Sequence, residues 1–293
     1  MIWASGWRLA SAVSNARGLG LLGAGSMSPA ILLENIQKCR AATDQPFGVN
    51  VPLLYSGVAQ QMKVIIDEQV PVVFTSAGNP SLWTAVLKSN GIKVVHVVSS
   101  RNFAEKAEAC GCDAVVAEGF EAGGHNGKEE TTTMVLVPLV CESVSIPVIA
   151  AGGIATGRQM LAAMVLGAEG VQIGSRFVAS MEASSHIYFK NALIQAGEGD
   201  TMLTLKQITP VRMMKNKFFD EVNHAEHECM PVEKLKELVG KGRAKKGMFE
   251  GDLEEGELEI GQVCALIKKI QPAAEIFHDV WHEFTVSLKE PLK

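Results

Sequence analysis

The chain has 293 residues, 47% of them hydrophobic, which is enough for one large core, and its net charge of −5 argues against nucleic acid or an anionic membrane surface as a partner. No apolar run is long enough to span a bilayer, and the first residues lack the sections of a secretion signal. Because the six cysteines show neither disulfide nor zinc spacing, we expect a cytoplasmic protein with reduced thiols.

Short β-branched runs recur along the first part of the chain and are typical of buried parallel strands. They cover 18–24, 47–53, 70–77, 93–99, 114–119, 147–153 and 170–177. The segments between them have helical spacing, and two of these begin with the helix-start signals Ser28-Pro29 and Asn79-Pro80. This regular alternation predicts an α/β protein of the TIM (β/α)8 barrel type rather than an open doubly wound sheet, which remains the alternative.

The front of the chain departs from a complete barrel, which needs eight strands where the sequence offers seven. The chain opens with MIWASGWRLASAVSNA, a pattern that predicts a loop and an amphipathic helix with Ser5 as its N-cap. A strand should precede that helix in a barrel. We therefore expect a barrel lacking its first strand, as in a truncated gene model or an isoform.

The pattern changes after about residue 180, where strand character fades. We expect a barrel over residues 1–200 and a helical C-terminal extension over 201–293 that packs on it. Within the extension, the charged and glycine-rich stretch 241–262 predicts one long loop.

The first candidate site is the glycine-rich segment 118–127 (EGFEAGGHNG), which follows a predicted strand. Glycine lets a backbone approach a planar ligand closely or adopt positive φ. His125 at the tip could serve as an acid, a base or a hydrogen-bond donor. A turn carrying a surface histidine is the alternative interpretation of the same residues.

Two further strand ends are rich in glycine, at 151–157 (AGGIATG) and 172–177 (QIGSRF). In a barrel, backbone N–H groups from the last two strand-to-helix loops bind a phosphate. The two segments together therefore predict a phosphate-bearing cofactor.

Taken in order, AEGFEAGGHNG, IPVIAAGGIATGRQM and LGAEGVQIGSRF resemble the flavin-binding core of the superfamily that joins nitronate monooxygenases to FMN-dependent enoyl-acyl carrier protein reductases. The strings GVNVPLL, TSAGNP and SGWRLASAVSNARGLGLLGAGS extend the resemblance over most of residues 5–180. It implies an oxidoreductase that holds a non-covalent FMN across the barrel mouth.

The resemblance also assigns roles to single residues. His125 corresponds to the family's active-site histidine. The residues implied in FMN binding are Gly152, Gly153, Gly174 and Ser175 for the phosphate, Asn50 and Gln172 for the ring or ribityl chain, and Glu118 and Gly124 for the pocket wall. Taken alone, Asn50 could be a turn former and Ser175 a helix N-cap.

Two positions depart from the pattern of these families, which normally carry a first strand ending in a Gly-Gly-Met loop that helps to hold FMN. Met1 corresponds to that methionine, and the strand and glycines are absent from the sequence. Arg17 stands where related sequences have a small residue.

Within the superfamily, AGNP at 77–80, the EAGGH loop and the tail GMFEGDLEEGELEIGQ resemble the reductases more than the monooxygenases. That likeness implies that NADH or NADPH reduces FMN, which then reduces a trans-2-enoyl thioester on acyl carrier protein in fatty acid synthesis. His125 would position the thioester or protonate the enolate. One alternative is oxidation of an alkyl nitronate with oxygen, and another is an inactive truncated paralogue. A homodimer is also implied.

Two surface features, a histidine pair and a basic run, could bind a metal ion or an acidic partner. His224 and His227 share a helix face, but nothing nearby completes a metal site, so we expect no metal. The basic run 243–246 could attract acyl carrier protein or a nucleotide phosphate. The acidic residues of 252–259 could equally neutralise it within the same loop.

Overall fold

Seven parallel strands form one curved sheet in the computed structural model, which describes residues 1–290. They are β1 (Gly20–Gly23), β2 (Phe47–Pro52), β3 (Val72–Ser76), β4 (Lys93–Val98), β5 (Ala114–Glu118), β7 (Val148–Ala151) and β8 (Gly170–Gln172), and the intervening β6 (Gly124–His125) belongs to a second sheet. Spatial order follows chain order, from β1 to β8. All seven predicted runs are strands, and the predicted barrel-type α/β fold is confirmed.

Helices connect these strands and cover the outer face of the sheet. They are α1 (Trp7–Asn15), α2 (Pro29–Ala42), α3 (Val58–Asp67), α4 (Thr84–Ser89), α5 (Arg101–Ala109), α6 (Thr133–Cys141), α7 (Gly157–Val165) and α8 (Ser175–Val178). Ser28 caps α2 by accepting a hydrogen bond from the N–H of Ile31 at 3.3 Å, and Pro29 is the first helical residue. The predicted start signal of α2 is therefore correct.

Alternation along each strand decides what faces the barrel interior. In β2, Val49 and Val51 are fully buried in the main cluster between the sheet and its helices. Asn50 lies between them, so its side chain points to the opposite face, into the barrel. Phe74 and Val95 belong to the separate inner cluster. Side chains at the carboxyl ends of the strands therefore converge inside the mouth.

Residues 1–5 run between the two edge strands, β1 and β8. The N–H of Gly23 donates to the carbonyl oxygen of Ser5 (2.9 Å), and the N–H of Ser184, beyond β8, donates to that of Ala4 (2.9 Å). The prediction that Ser5 is the N-cap of α1 is wrong. The Ser5 hydroxyl donates instead to the carbonyl oxygen of Leu21, and Gly6 takes the cap position. The described chain has seven barrel strands, as expected for a barrel without its first strand.

The C-terminal extension contains the predicted helices and a hairpin that the sequence did not reveal. Its helices are α9 (Ile187–Gln195), α10 (Lys217–His227), α11 (Val232–Val239) and α12 (Ala273–Ser287). The hairpin of β9 (Thr201–Thr204) and β10 (Val211–Met214) joins β6 in an antiparallel sheet of order β6-β10-β9. Both strands are short and show no clear alternation of polar and apolar residues.

The last helix returns to the barrel, because α12 packs on α1 and α7. The division of the chain at residue 200 stays a prediction.

No helix among residues 1–290 is long and apolar enough to cross a membrane.

Candidate active site

One cavity of about 1090 Å³ opens at the carboxyl ends of the strands. Cavities that bind small molecules commonly measure roughly 300–1,000 Å³, so this one has room for a cofactor and a second ligand. All nine predicted site residues line it: Asn50, Glu118, Gly124, His125, Gly152, Gly153, Gln172, Gly174 and Ser175. The fold thus brings together every candidate, while the role of each remains a prediction.

Polar side chains at the ends of four strands face this cavity. Asn50 belongs to the inward series of β2, and the Ser76 hydroxyl on β3 lies 3.5 Å from its Oδ1. Glu118 ends β5 and Gln172 ends β8. The Oε1 atom of Gln172 is buried and has no hydrogen-bond partner among the described residues, as expected for an acceptor that awaits a ligand. Sequence reasoning placed Ser76 within the predicted strand 70–77 and assigned it no role in the site.

The two glycine-rich loops form a cradle of free backbone donors. Gly152 and Gly153 have φ of +85° and +69°, and a Cβ on Gly152 would lie 2.6 Å from the carbonyl oxygen of Gly119. No hydrogen bond within residues 1–290 uses the N–H of Gly152, Gly153, Gly174 or Ser175 as its donor. The Ser175 hydroxyl accepts from the N–H of Gly261 at 2.9 Å and keeps its own proton to donate. Such a cradle fits the phosphate of a flavin.

The loop of His125 is held rather than free, unlike a surface turn. Its residues 124 and 125 form β6, which pairs with β10, and the Asn126 amide donates to the carbonyl oxygens of Ala122 (3.0 Å) and Gly124 (2.9 Å). Gly124 has φ of +78°. The imidazole of His125 is exposed on the cavity wall and makes no hydrogen bond within the described part of the chain.

The tail of the extension closes one side of the site. The main chain of Glu259 bridges to Met213 of β10, and its carboxylate lies 2.7 Å from a Cβ placed on Gly124. Because φ at position 124 is +78°, any other residue would be strained there, and its Cβ would also displace this carboxylate. Sequence reasoning treated Glu259 as one of several loop carboxylates and missed its place beside His125, since that proximity requires the tail to fold back over β10.

Burial disfavours ionisation of the carboxyl groups in this region. It raises the pKa of Glu118 to about 7, and it raises the pKa of Glu259, which the nearby His125 opposes. Burial and the neighbouring charge of Glu259 raise the pKa of Glu257 to about 8. Uptake of a further negative charge here is unfavourable.

The basic run is neutralised within its own loop, one of the two outcomes weighed from the sequence. Arg243 lies 3.3 Å from Glu255, and Lys246 lies 3.1 Å from Asp252. Among residues 1–290, no group of three or more histidine, cysteine or acidic side chains is placed to hold a metal ion.

A barrel with a cradle of free backbone N–H groups, an unpaired amide acceptor and a glycine-lined cavity beside an exposed histidine is typical of a flavin-dependent oxidoreductase of the TIM-barrel class. The profile of the nitronate monooxygenase family, described as "Nitronate monooxygenase", matches residues 1–61 and 53–283, and the chain belongs to this family. The resemblance drawn from the sequence is thereby confirmed.

Three similar proteins carry different names. The structure of FabK from Thermotoga maritima is 44% identical, with a TM-score of 0.94, over 99% of this chain and 92% of that chain. A probable nitronate monooxygenase of Staphylococcus saprophyticus is 32% identical over 92% of this chain and 88% of that protein. An octahydroindene-carboxyl-CoA dehydrogenase of Rhodococcus jostii is 29% identical over 96% of this chain and 89% of that protein.

Proposed function

We propose that the protein is an FMN-dependent reductase that uses NADH or NADPH to reduce trans-2-enoyl thioesters on acyl carrier protein in fatty acid synthesis. The observation that carries this proposal is the carboxyl group of Glu259, which the tail sets against Gly124 and beside His125. An alkyl nitronate is an anion, and its charge would be disfavoured here by the same burial that raises the pKa of these carboxyl groups. An enoyl thioester is neutral and meets no such penalty.

The residues present fit FMN as the cofactor. The free N–H groups of Gly152, Gly153 and Gly174 would hold its phosphate, and Oε1 of Gln172 would accept from its ring or ribityl chain. When bound, FMN supplies the transfer of hydride between donor and substrate. The chain itself supplies orientation, exclusion of water and a proton.

His125 is placed to supply that proton. Addition of hydride to the β-carbon of an enoyl thioester leaves an enolate, whose α-carbon must then take up a proton. The His125 ring faces the cavity, so a protonated Nε2 or Nδ1 can hydrogen-bond the thioester carbonyl and protonate the enolate.

Two relatives support a thioester substrate. FabK is an enoyl-acyl carrier protein reductase, and it shares the fold of this chain over nearly its full length. The Rhodococcus jostii protein is, by its name, a dehydrogenase of a carboxyl-CoA compound, which is also a thioester. Acyl carrier protein as partner and a homodimer belong to the same proposal.

Nitronate oxidation is the second candidate function. The side chains of Lys106 and Lys128 are exposed and line the cavity, and cations at a cavity wall attract an anion such as a nitronate. The probable monooxygenase of Staphylococcus saprophyticus adds to this alternative.

Anaerobic stopped-flow absorbance of the FMN-loaded protein distinguishes the two functions. We expect NADH or NADPH to bleach the flavin and a crotonyl thioester to restore its colour, while ethyl nitronate alone leaves the oxidised spectrum unchanged. Bleaching by the nitronate but by neither nicotinamide would contradict the reductase and establish the second candidate. A protein that takes up no FMN would instead fit an inactive paralogue.

A further inference from the structure

Arg212, on β10 of the extension, is the largest fully buried side chain in the described part of the protein. It is 2% exposed, and its Nη2 group has no hydrogen-bond partner there. Burial lowers the pKa of its guanidinium, although the carboxylates of Glu121 and Glu130 oppose that shift. Burying a cation with an unmet donor is costly, so contacts elsewhere on the side chain must offset the cost.

The hydrogen bond and the cation–π contact of this side chain are both with Phe120, in the loop that carries His125. The Nε–H of Arg212 donates to the carbonyl oxygen of Phe120 at 3.1 Å, and its guanidinium lies over the Phe120 ring, 4.6 Å from the centroid. The main chain of Arg212 pairs with Gly124, and that of Val211 pairs with His125. Arg212 thus contacts this loop at both Phe120 and Gly124.

The orientation of the histidine depends on this backbone. Because the imidazole of His125 forms no hydrogen bond among the described residues, the path of its own main chain sets its direction. Other anchors hold other residues of the loop: Thr133 binds the carboxylate of Glu121, and the N–H of Gln262 binds the carbonyl oxygen of Glu121. Next to the histidine, the N–H of Asn126 donates to the carbonyl oxygen of Pro210 at 2.8 Å, and its side-chain amide donates to those of Ala122 and Gly124. Among these anchors, only Arg212 ties Phe120 to the same strand that pairs with His125.

We infer that Arg212 is a positioning residue, through which the C-terminal extension orients His125 toward the substrate. Its effect on turnover rests on the proposed reductase function, whereas its effect on the loop does not. The inference assigns a role in the reaction to the extension, which lies outside the seven-stranded sheet.

Arg243 offers a matched control on the same extension. Its guanidinium lies over the ring of Phe218 at 4.8 Å, and its Nη1 donates to the carbonyl oxygen of Glu255 at 2.8 Å. Arg243 therefore makes the same two kinds of contact as Arg212, together with its ion pair to Glu255, but with residues outside 120–125. Arg212→Met and Arg243→Met each lose a hydrogen bond to a carbonyl oxygen and a cation–π contact.

The experiment compares both variants, and Arg212→Lys, with the FMN-loaded wild type. We expect Arg212→Met to lower kcat for the enoyl thioester roughly 10- to 100-fold, since small displacements of a reacting group have effects of this size. The rate of flavin bleaching by the nicotinamide and the Kd for FMN should change less than about threefold. Arg212→Lys should recover part of kcat, and Arg243→Met should leave kcat unchanged.

Hydrogen exchange of the amides at 120–126 gives a readout independent of activity. It should become faster in Arg212→Met and stay unchanged in Arg243→Met. Equal effects of the two methionine variants on kcat, or unchanged exchange in Arg212→Met, would overturn the positioning role. If Arg212→Met does not fold, the same comparison is made with Arg212→Lys. A wild type that turns over no thioester contradicts the proposed function alone, because hydrogen exchange still decides the inference.

Discussion

Arg17 has a backbone conformation that is energetically unfavourable for a residue with a side chain. It follows α1 with φ of +77°, a conformation that favours glycine, and its N–H donates to the carbonyl oxygen of Ser14 in the helix-ending turn. This explains physically why the resemblance places a small residue there. The left-handed conformation costs a residue with a side chain about 1–2 kcal/mol.

We expect Arg17→Gly to raise the free energy of unfolding by about 0.5–1 kcal/mol, because relief of this strain exceeds the extra backbone entropy of glycine in the unfolded chain. Urea denaturation measures the change. The control is Gln60→Gly, at an exposed right-handed position inside α3, which should lower stability by about 1 kcal/mol. Destabilisation by Arg17→Gly would contradict the strain argument.

At the scale of elements, the site consists of the ends of strands and the loops that follow them. Residues on the inward series of β2, β3, β5 and β8 meet because parallel strands place their carboxyl ends at one edge. The glycine loops after β7 and β8 bring their free N–H groups to the same edge. Sequence reasoning found these loops because their spacing is local.

The loop after β7 provides a test of the phosphate cradle. In Gly152→Ala, the new Cβ would lie 2.6 Å from the carbonyl oxygen of Gly119, and φ of +85° is strained for alanine. We expect the Kd for FMN to rise roughly tenfold or more, which corresponds to about 1.4 kcal/mol. Flavin fluorescence titration measures it.

Gly197→Ala is the control for that substitution. The nearest atom to a Cβ at Gly197 is Oδ2 of Asp200, at an ordinary contact distance of 3.7 Å. Its Kd for FMN should equal that of the wild type. If Gly152→Ala also bound FMN normally, the predicted phosphate site would be wrong.

At the scale of the whole molecule, the buried side chains of Glu257 and His96 change the free energy of unfolding with pH in opposite directions. Burial raises the pKa of Glu257 to about 8, so its folded form binds a proton that the unfolded chain has already lost, and stability falls as pH rises from about 5 to 8. Burial lowers the pKa of His96 to about 4, so its contribution rises between about pH 4 and 6.5. The contribution of one group is therefore measured as the difference in the free energy of unfolding between a variant and the wild type.

We expect Glu257→Gln to gain stability relative to the wild type as pH rises from 5 to 8, by up to about 1.4 kcal/mol per pH unit, because the amide needs no proton when buried. Urea denaturation at pH 5, 6.5 and 8 measures this difference. Glu254→Gln, at an exposed position of the same loop, should show no such trend. A constant difference for Glu257→Gln would mean that Glu257 is ionised in the folded protein.

The sequence by itself determined the seven strands and the glycine loops, since periodicity and glycine spacing are local properties of a chain. The flavin-dependent class followed from the resemblance of its motifs to a known family. The tertiary structure alone revealed the hairpin β9–β10, the place of Glu259 beside Gly124 and the hold of Arg212 on Phe120. Each of these joins residues far apart in the chain, and in short strands the side-chain pattern is too brief to indicate a partner. What surrounds His125 was therefore decided by how the extension folds back on the barrel.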